Sequence, residues 1–295
     1  MKFGKLEDIS NVDFSLPEDH PFTQEVLASA KWEGGLKVFT GGTMWTIKDW
    51  KGKWYPAKTP QKDFARAYFN QFGTIELNAT HYRIHPPATI RGWKEMSPPD
   101  FVFCPKFPNL ISHYRQFLNC ESLTDEFLTA IAAFDDQLGP SFIQLPPRMA
   151  SSQAPKIRAY LKSLPRDIPI HIEFRHESWF DGNEEAEKTW ELMRELGIGS
   201  VITDTAGRRD AVHMRLTSPI LILRFGGCQL DPTDYTRMHD WAIRIHKWQQ
   251  QGLRQVYIWM HQPESILTPE TLIAFGKEIE NTTGVTIKSP QLITP

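Results

Sequence analysis

The stretch "PIHIEFRHESW", residues 169–179, sets Glu173, Arg175 and His176 into an otherwise apolar run. Ionisable side chains are seldom buried unless they are paired or working. The stretch is therefore a surface strand, a structural ion pair or the floor of a site. Side chains alternate along a strand, so His171, Glu173 and Arg175 share one face and Ile170, Ile172 and Phe174 the other.

The same arrangement recurs along the chain. Short runs rich in apolar and β-branched residues stand at 37–42, 73–78, 101–106, 141–147, 169–175, 199–204, 219–225 and 255–261, eight in all. Between most of them the apolar residues recur at helical spacing. "TPQKDFARAYFNQFG" (59–73) opens with Thr-Pro and closes on Gly73. Leu123, Phe127, Ile131 and Phe134 form one stripe of the segment ending at Gly139. Residues 183–197 carry acids in the first turn, favourable to the helix dipole, and end at Gly197. Residues 231–252 and 265–284 follow the last two strands. After the sixth strand, "AGRRDAVHMRLTS" has no periodic stripe, so the helix there is missing or very short.

Strands alternating with helices predict an α/β fold, a single TIM-like (β/α)8 barrel over 36–295. A doubly wound open sheet lacks its G-x-G-x-x-G after the first strand. Residues 1–35, with Pro17 and Pro21 and no regular period, read as an N-terminal arm or cap. Parity and strand ends then select the site. Glu76 and Asn78, Lys106, Gln144, Glu173 and Arg175, Asp204, Arg224 and His261 all lie at or near the carboxyl ends of strands. Seven strands with a polar residue at the same end point to a binding mouth, because the inner faces converge there.

Composition narrows the class. Of 295 residues 40% are hydrophobic and 23% charged, and the formal net charge is −2. No global field draws the protein toward nucleic acid or an anionic membrane. No apolar run approaches the roughly 20 residues that span a bilayer, and the start "MKFGKLEDIS" does not read as a secretory signal. Three cysteines without a C-x-x-C pair argue against a disulfide framework or zinc knuckle. A soluble, cytoplasmic protein is expected, without nucleic-acid or membrane partners. Ten tryptophans suit core packing better than an aromatic-lined pocket. Cys104 reads as buried, His246 as structural, and His113, Tyr82 and Arg83 as candidates for the rim.

The motifs also carry a family likeness. "GGTMW" (41–45), "WKGKWYP" (50–56), "ELNATHYR" (76–83), Lys106 with "ISH" (111–113), "QLPP" (144–147), "EFRHESW" (173–179), Asp204 and "RFGG" (224–227) stand in order. The chain resembles the DUF72, or YecE-like, family, whose members have a TIM-barrel-like fold. The resemblance runs from about 37 to 285 and implies a site of Glu76, Lys106, Gln144, Glu173, Arg175, Asp204 and Arg224. It departs at Thr43-Met44, where the family has Ser-Gly, and at Gly226, where it has histidine. It departs again at "MHQPE", where an F-N-N-like sequence is usual. It supplies no reaction.

The residues themselves suggest three chemistries. The first is carboxylate acid–base catalysis, with Glu76, Glu173 and Asp204, on a small anionic or sugar-like substrate. Arg175, Arg224 and Lys106 would clamp the anion, and Gln144, Asn78 and His261 would orient it. No cofactor is required. The second is a divalent-metal isomerase or phosphodiesterase-like hydrolase, with Glu76, Glu173, Asp204, His176 and His261 as metal ligands. The third is a small-ligand binder without catalysis.

Overall fold

The computed structural model describes residues 3–30 and 34–293; residues 1–2 and 31–33 of the leading arm, and 294–295, lie outside the described residues. All eight expected strands form: β1 Lys37–Gly41, β2 Thr74–Leu77, β3 Val102–Pro105, β4 Ser141–Gln144, β5 Ile170–Glu173, β6 Gly199–Asp204, β7 Ile220–Gly226 and β8 Gln255–His261. Every pairing is parallel, which requires the helical crossovers that the periodicity predicted.

The strands form two sheets. Six run in the order β1-β8-β7-β6-β5-β4, and β2 pairs with β3. Between β1 and β2 the backbone bonds Gly73 N to Thr40 O (3.1 Å) and Glu76 N to Gly42 O (3.1 Å) connect the sheets. Between β3 and β4 the bonds are Gly139 N to Phe103 O (2.8 Å) and Phe107 N to Phe142 O (2.9 Å). Pro105 has no N–H to donate, so a continuous ladder cannot run through the end of β3.

Residues of one parity form an inner core: Cys104, Phe142, Val201, Ile222, Tyr257 and Trp259, with Phe39, Val102 and Ile220 against them. Residues of the other parity, among them Ile143, Ile172, Ile202, Leu223 and Ile258, pack under helices in the main core. These include α2 (Phe64–Gln71), α5 (Glu121–Ile131), α7 (Glu184–Glu195), α8 (Pro232–Gln251) and α9 (Thr268–Thr283), all anticipated from periodicity. Seven tryptophans, Trp50, Trp54, Trp179, Trp190, Trp241, Trp248 and Trp259, are fully buried side chains, as packing predicts.

Four helical segments escaped the pattern: α1 (Pro21–Ala28), the single turn α3 (Ala79–Tyr82), α4 (Pro87–Met96) and α6 (Ala154–Ser163). Each is at most ten residues, too short for a long stripe. In α1 a stripe does exist, since Thr23, Val26 and Leu27 are its buried residues. Its place explains the missing helix after β6. That connection holds only the turn Arg209–Ala211, and α1 lies beside it. Thr23 Oγ1 donates to Met214 O at 2.8 Å and accepts from Leu216 N at 2.9 Å. Glu25 pairs with Arg194 of α7, while Asp19 just ahead of α1 pairs with Arg244 of α8 at 2.6 Å. A helix from the amino end of the chain thus bridges α7 and α8. Among the described residues no helix is long and apolar enough to cross a membrane.

Candidate functional site

Register brings the polar strand ends level. Gln144 sits opposite Glu173, Thr203 opposite Arg224, and Gly226 opposite His261. Because these residues share the parity of the inner core, their side chains form a charged layer directly above it.

Arg224 is the hub. Its Nε donates to Glu76 Oε2 and one terminal nitrogen to Glu76 Oε1, both at 2.9 Å, a two-point fork on one carboxylate. Its other terminal nitrogen donates to Glu173 Oε1 at 2.6 Å. Glu173 is further held by Thr203 Oγ1 (2.7 Å), Gln144 Nε2 (2.5 Å) and Arg175 (3.3 Å). Glu76 also receives Asn78 Nδ2 at 3.0 Å and His261 Nε2 at 2.7 Å. A carboxylate only accepts here, so His261 carries its proton on Nε2, which leaves Nδ1 as an acceptor.

These contacts fix the protonation states. Burial alone would raise the Glu173 carboxyl, but Arg175 and Arg224 outweigh it and hold it far below the usual range. Glu76 is likewise buried, and Arg224 pulls it well below its ordinary value. His261 is pushed down to about 4 by burial, with Arg224 opposing its charge despite Glu76, so it is neutral. Lys106 is different. Its Nζ donates to Gln144 Oε1 at 3.0 Å and stands 5.6 Å from the centre of the Phe142 ring. Burial, and then the neighbouring Arg224 charge, bring its ammonium down to about 7.

Among the described residues two carboxylates face two guanidiniums in the layer, and Lys106 is a third cation. Exposure is graded in the same sense: Glu76 and Glu173 are sealed at 0%, whereas Lys106 is 5%, His261 8% and Arg175 9% exposed. Of the layer, His261 also lines a cavity.

Not every expected residue joins this layer. Asp204 faces the other way, toward α8. Its Oδ1 accepts from Arg237 at 3.0 Å and from Arg209, and its Oδ2 from Trp241 Nε1 at 2.7 Å. With those partners it closes a buried ion-pair network with Asp234, and among the described residues no hydrogen bond or ion pair joins it to Glu76 or Glu173. The inward residue at the end of β6 is Thr203, which the sequence reading passed over. Parity could have found it: Asp204 shares a face with Ile202 of the main core, and Thr203 with Val201 of the inner one.

The metal donor set does not assemble. Asp204 is turned away, His176 Nδ1 meets Ser178 Oγ at 2.9 Å, and both glutamates are occupied by Arg224. Among the described residues no three His, Cys, Asp or Glu groups converge as metal ligands. Cys104 is buried and its thiol pushed up by burial, as expected of a packing residue.

The rim comes from the loops. Tyr82 and Tyr114 are exposed, and the rings of His81 and His113 lie 5.3 Å apart. His81 Nδ1 donates to Phe107 O at 2.7 Å, which fixes its tautomer. Burial, and then the Lys106 charge, lower His81 to about 3 and His113 to about 4. The leading segment packs against the layer. Phe3 stacks 4.6 Å from the Arg175 guanidinium, and Thr205 Oγ1 donates to Gly4 O at 3.0 Å. Gly4 has φ +66°, and a Cβ there would lie 2.3 Å from Thr205 Cγ2, so only glycine fits. Beneath residues 4–9 a cavity of about 390 Å³ opens onto His261, Thr205, Gly226 and Cys228. Gln262, one of the departures from the family pattern, is structural: its amide binds Thr271 Oγ1 at 2.9 Å and Gln229 N at 2.9 Å.

Fold and site together define an α/β protein of parallel strands with a buried charged layer at their carboxyl ends. The chain belongs to the DUF72 family, described as a protein of unknown function, whose model matches residues 39–292. It is 28% identical over 233 residues to the UPF0759 protein YecE of Escherichia coli K12, covering 73% of this chain and 85% of that protein. To the UPF0759 protein YunF of Bacillus subtilis 168 it is 30% identical over 152 residues, 48% of this chain and 52% of the relative. A solved DUF72 family protein from Enterococcus faecalis V583 has the same fold, with TM-score 0.61 at 18% identity over 85% of this chain and 98% of that one.

Proposed function

We propose that the charged layer is the floor of a binding site for a small anionic molecule, and that Lys106 is the group that exchanges a proton with it. The observation that carries this reading is the surplus cation. Among the described residues the buried layer holds two carboxylates and two guanidiniums, so Lys106, bonded only to an amide oxygen there, adds a positive charge beyond that balance. A bound anion would offset it.

Carboxylate acid–base catalysis, the expectation from sequence, fits less well. Glu76 and Glu173 are held ionised by the guanidiniums beside them, so neither can donate a proton near neutral pH. A group poised near pH 7 is suited to proton transfer, and Lys106 is so poised. We read the two sheets as one (β/α)8 ring, supported by the backbone bonds at both gaps. A ring makes the strand ends converge on one mouth. A cytoplasmic setting suits the three free cysteines.

Calorimetric titration with inorganic phosphate and malonate, in two buffers of different ionisation heat at pH 8, tests the reading. Saturable binding with proton uptake is expected, weakening about tenfold per unit above pH 7 as neutral Lys106 accumulates. Binding that Lys106→Met leaves unchanged, or no saturable binding at all, would refute it. Binding without turnover of any small anion would identify a receptor for such molecules.

A further inference from the structure

The surplus lysine is also built as a nucleophile. Resting on the reading of the mouth as an anion site, we propose that Lys106 captures the carbonyl of a small oxo acid or phosphorylated aldehyde as an imine, with the substrate's anionic group paired to the positive charge of the layer.

Three features support it. The first is position: Lys106 follows β3 on the inner face, and its backbone is pinned by Lys106 N to Leu77 O at 3.4 Å and by Thr80 Oγ1 to Lys106 O at 2.8 Å. The stem is therefore placed, and only the amine end is left to react. The second is the environment. The amine lies over the Phe142 ring and beside the Arg224 guanidinium, and an apolar wall and a neighbouring cation are the two devices that activate a lysine. With its ammonium down at about 7, roughly a thousandfold more of it is free amine at pH 7 than of an ordinary lysine. The third is polar contact: of three possible donors the ammonium spends one on Gln144 Oε1, and no carboxylate oxygen stands within 4 Å of it among the described residues. A lysine kept for structure would be paired.

The chemistry balances within the site. The free amine adds to the carbonyl carbon, the carbonyl oxygen takes up the proton, and a carbinolamine results. The proton that the ammonium first released returns to that hydroxyl, which leaves as water, and an iminium remains. The net change is ammonium plus carbonyl to iminium plus water, with no oxidant or reductant. The iminium keeps the single positive charge of Lys106, so the counter-charge offered to the anion persists through the step.

Reductive trapping decides the matter. The full chain is incubated at pH 7 with pyruvate, glycolaldehyde phosphate or uncharged glycolaldehyde, each with cyanoborohydride, and mapped by peptide mass spectrometry. One adduct per chain is expected, on Lys106, forming about tenfold faster with the two anionic probes than with glycolaldehyde, since pairing raises the local concentration. Adducts spread over surface lysines at similar rates, with Lys106 unmodified, would overturn the proposal. Lys106→Arg separates this from the binding reading, because it keeps the cation and removes the nucleophile. Phosphate binding retained in that variant, with no trapping in the parent, sinks the imine alone. Loss of phosphate binding in the parent protein sinks both.

Discussion

Replacing Lys106 by methionine should change stability in a way that reverses sign with pH. Below pH 7 the folded protein carries this ammonium in its interior. Between pH 7 and 10.5 the folded chain has released a proton that the unfolded chain still holds, so the parent protein gains stability from this group as pH rises. A drop from 10.5 to about 7, at about 1.4 kcal/mol per unit, places roughly 5 kcal/mol of cost on the charged lysine. Methionine removes that cost but leaves Gln144 Oε1 without its donor and loses the contact with Phe142, together about 2 kcal/mol. The variant should therefore be about 3 kcal/mol more stable at pH 6, and about 2 kcal/mol less stable near pH 10.5. Between them the difference should slope by about 1.4 kcal/mol per unit. Urea unfolding from pH 6 to 10, followed by the fluorescence of the buried tryptophans, measures it. A difference that stays constant over that range, or a variant least stable at pH 6, would refute the charge count on which the site reading rests.

Four further outcomes follow from the contacts. Arg224→Met leaves Glu76 without a guanidinium and Glu173 with Arg175 alone, and should cost about 3–5 kcal/mol, partly recovered by adding Glu76→Gln; urea midpoints of the single and double variants check this. Asp204→Asn should cost about 2–4 kcal/mol by taking the carboxylate from Arg209 and leaving Arg237 with Asp234 alone, yet leave phosphate affinity at its parental value in titration, because Asp204 lies outside the layer. Thr203→Val removes a hydrogen bond to an ionised carboxylate and should lower the unfolding free energy by about 1.5–3 kcal/mol. Gly199→Ala puts a Cβ 2.1 Å from the His171 ring and should destabilise by about 1–3 kcal/mol in thermal melts, with repacking around that buried imidazole.

The sequence by itself determined the parallel α/β pattern, because period-2 and period-3.6 hydrophobicity are local properties of the chain. It also determined which strand ends are polar, and thereby Glu76, Lys106, Gln144, Glu173, Arg175, Arg224 and His261 as candidates. Asp204 shows the limit of that reading. An aspartate at a strand end looks like its glutamate counterparts until α8, some 33 residues further along, supplies Arg237 and Trp241 to the outer face. The division of the strands into six and two, and the placing of α1 between α7 and α8, likewise depend on distant partners. Only the tertiary structure decided the charge of the layer. Which carboxylate shares which guanidinium is settled by distance in space, and burial sets how strongly each charge is felt. The sequence names the five charged groups; their packing makes Lys106 the one left over.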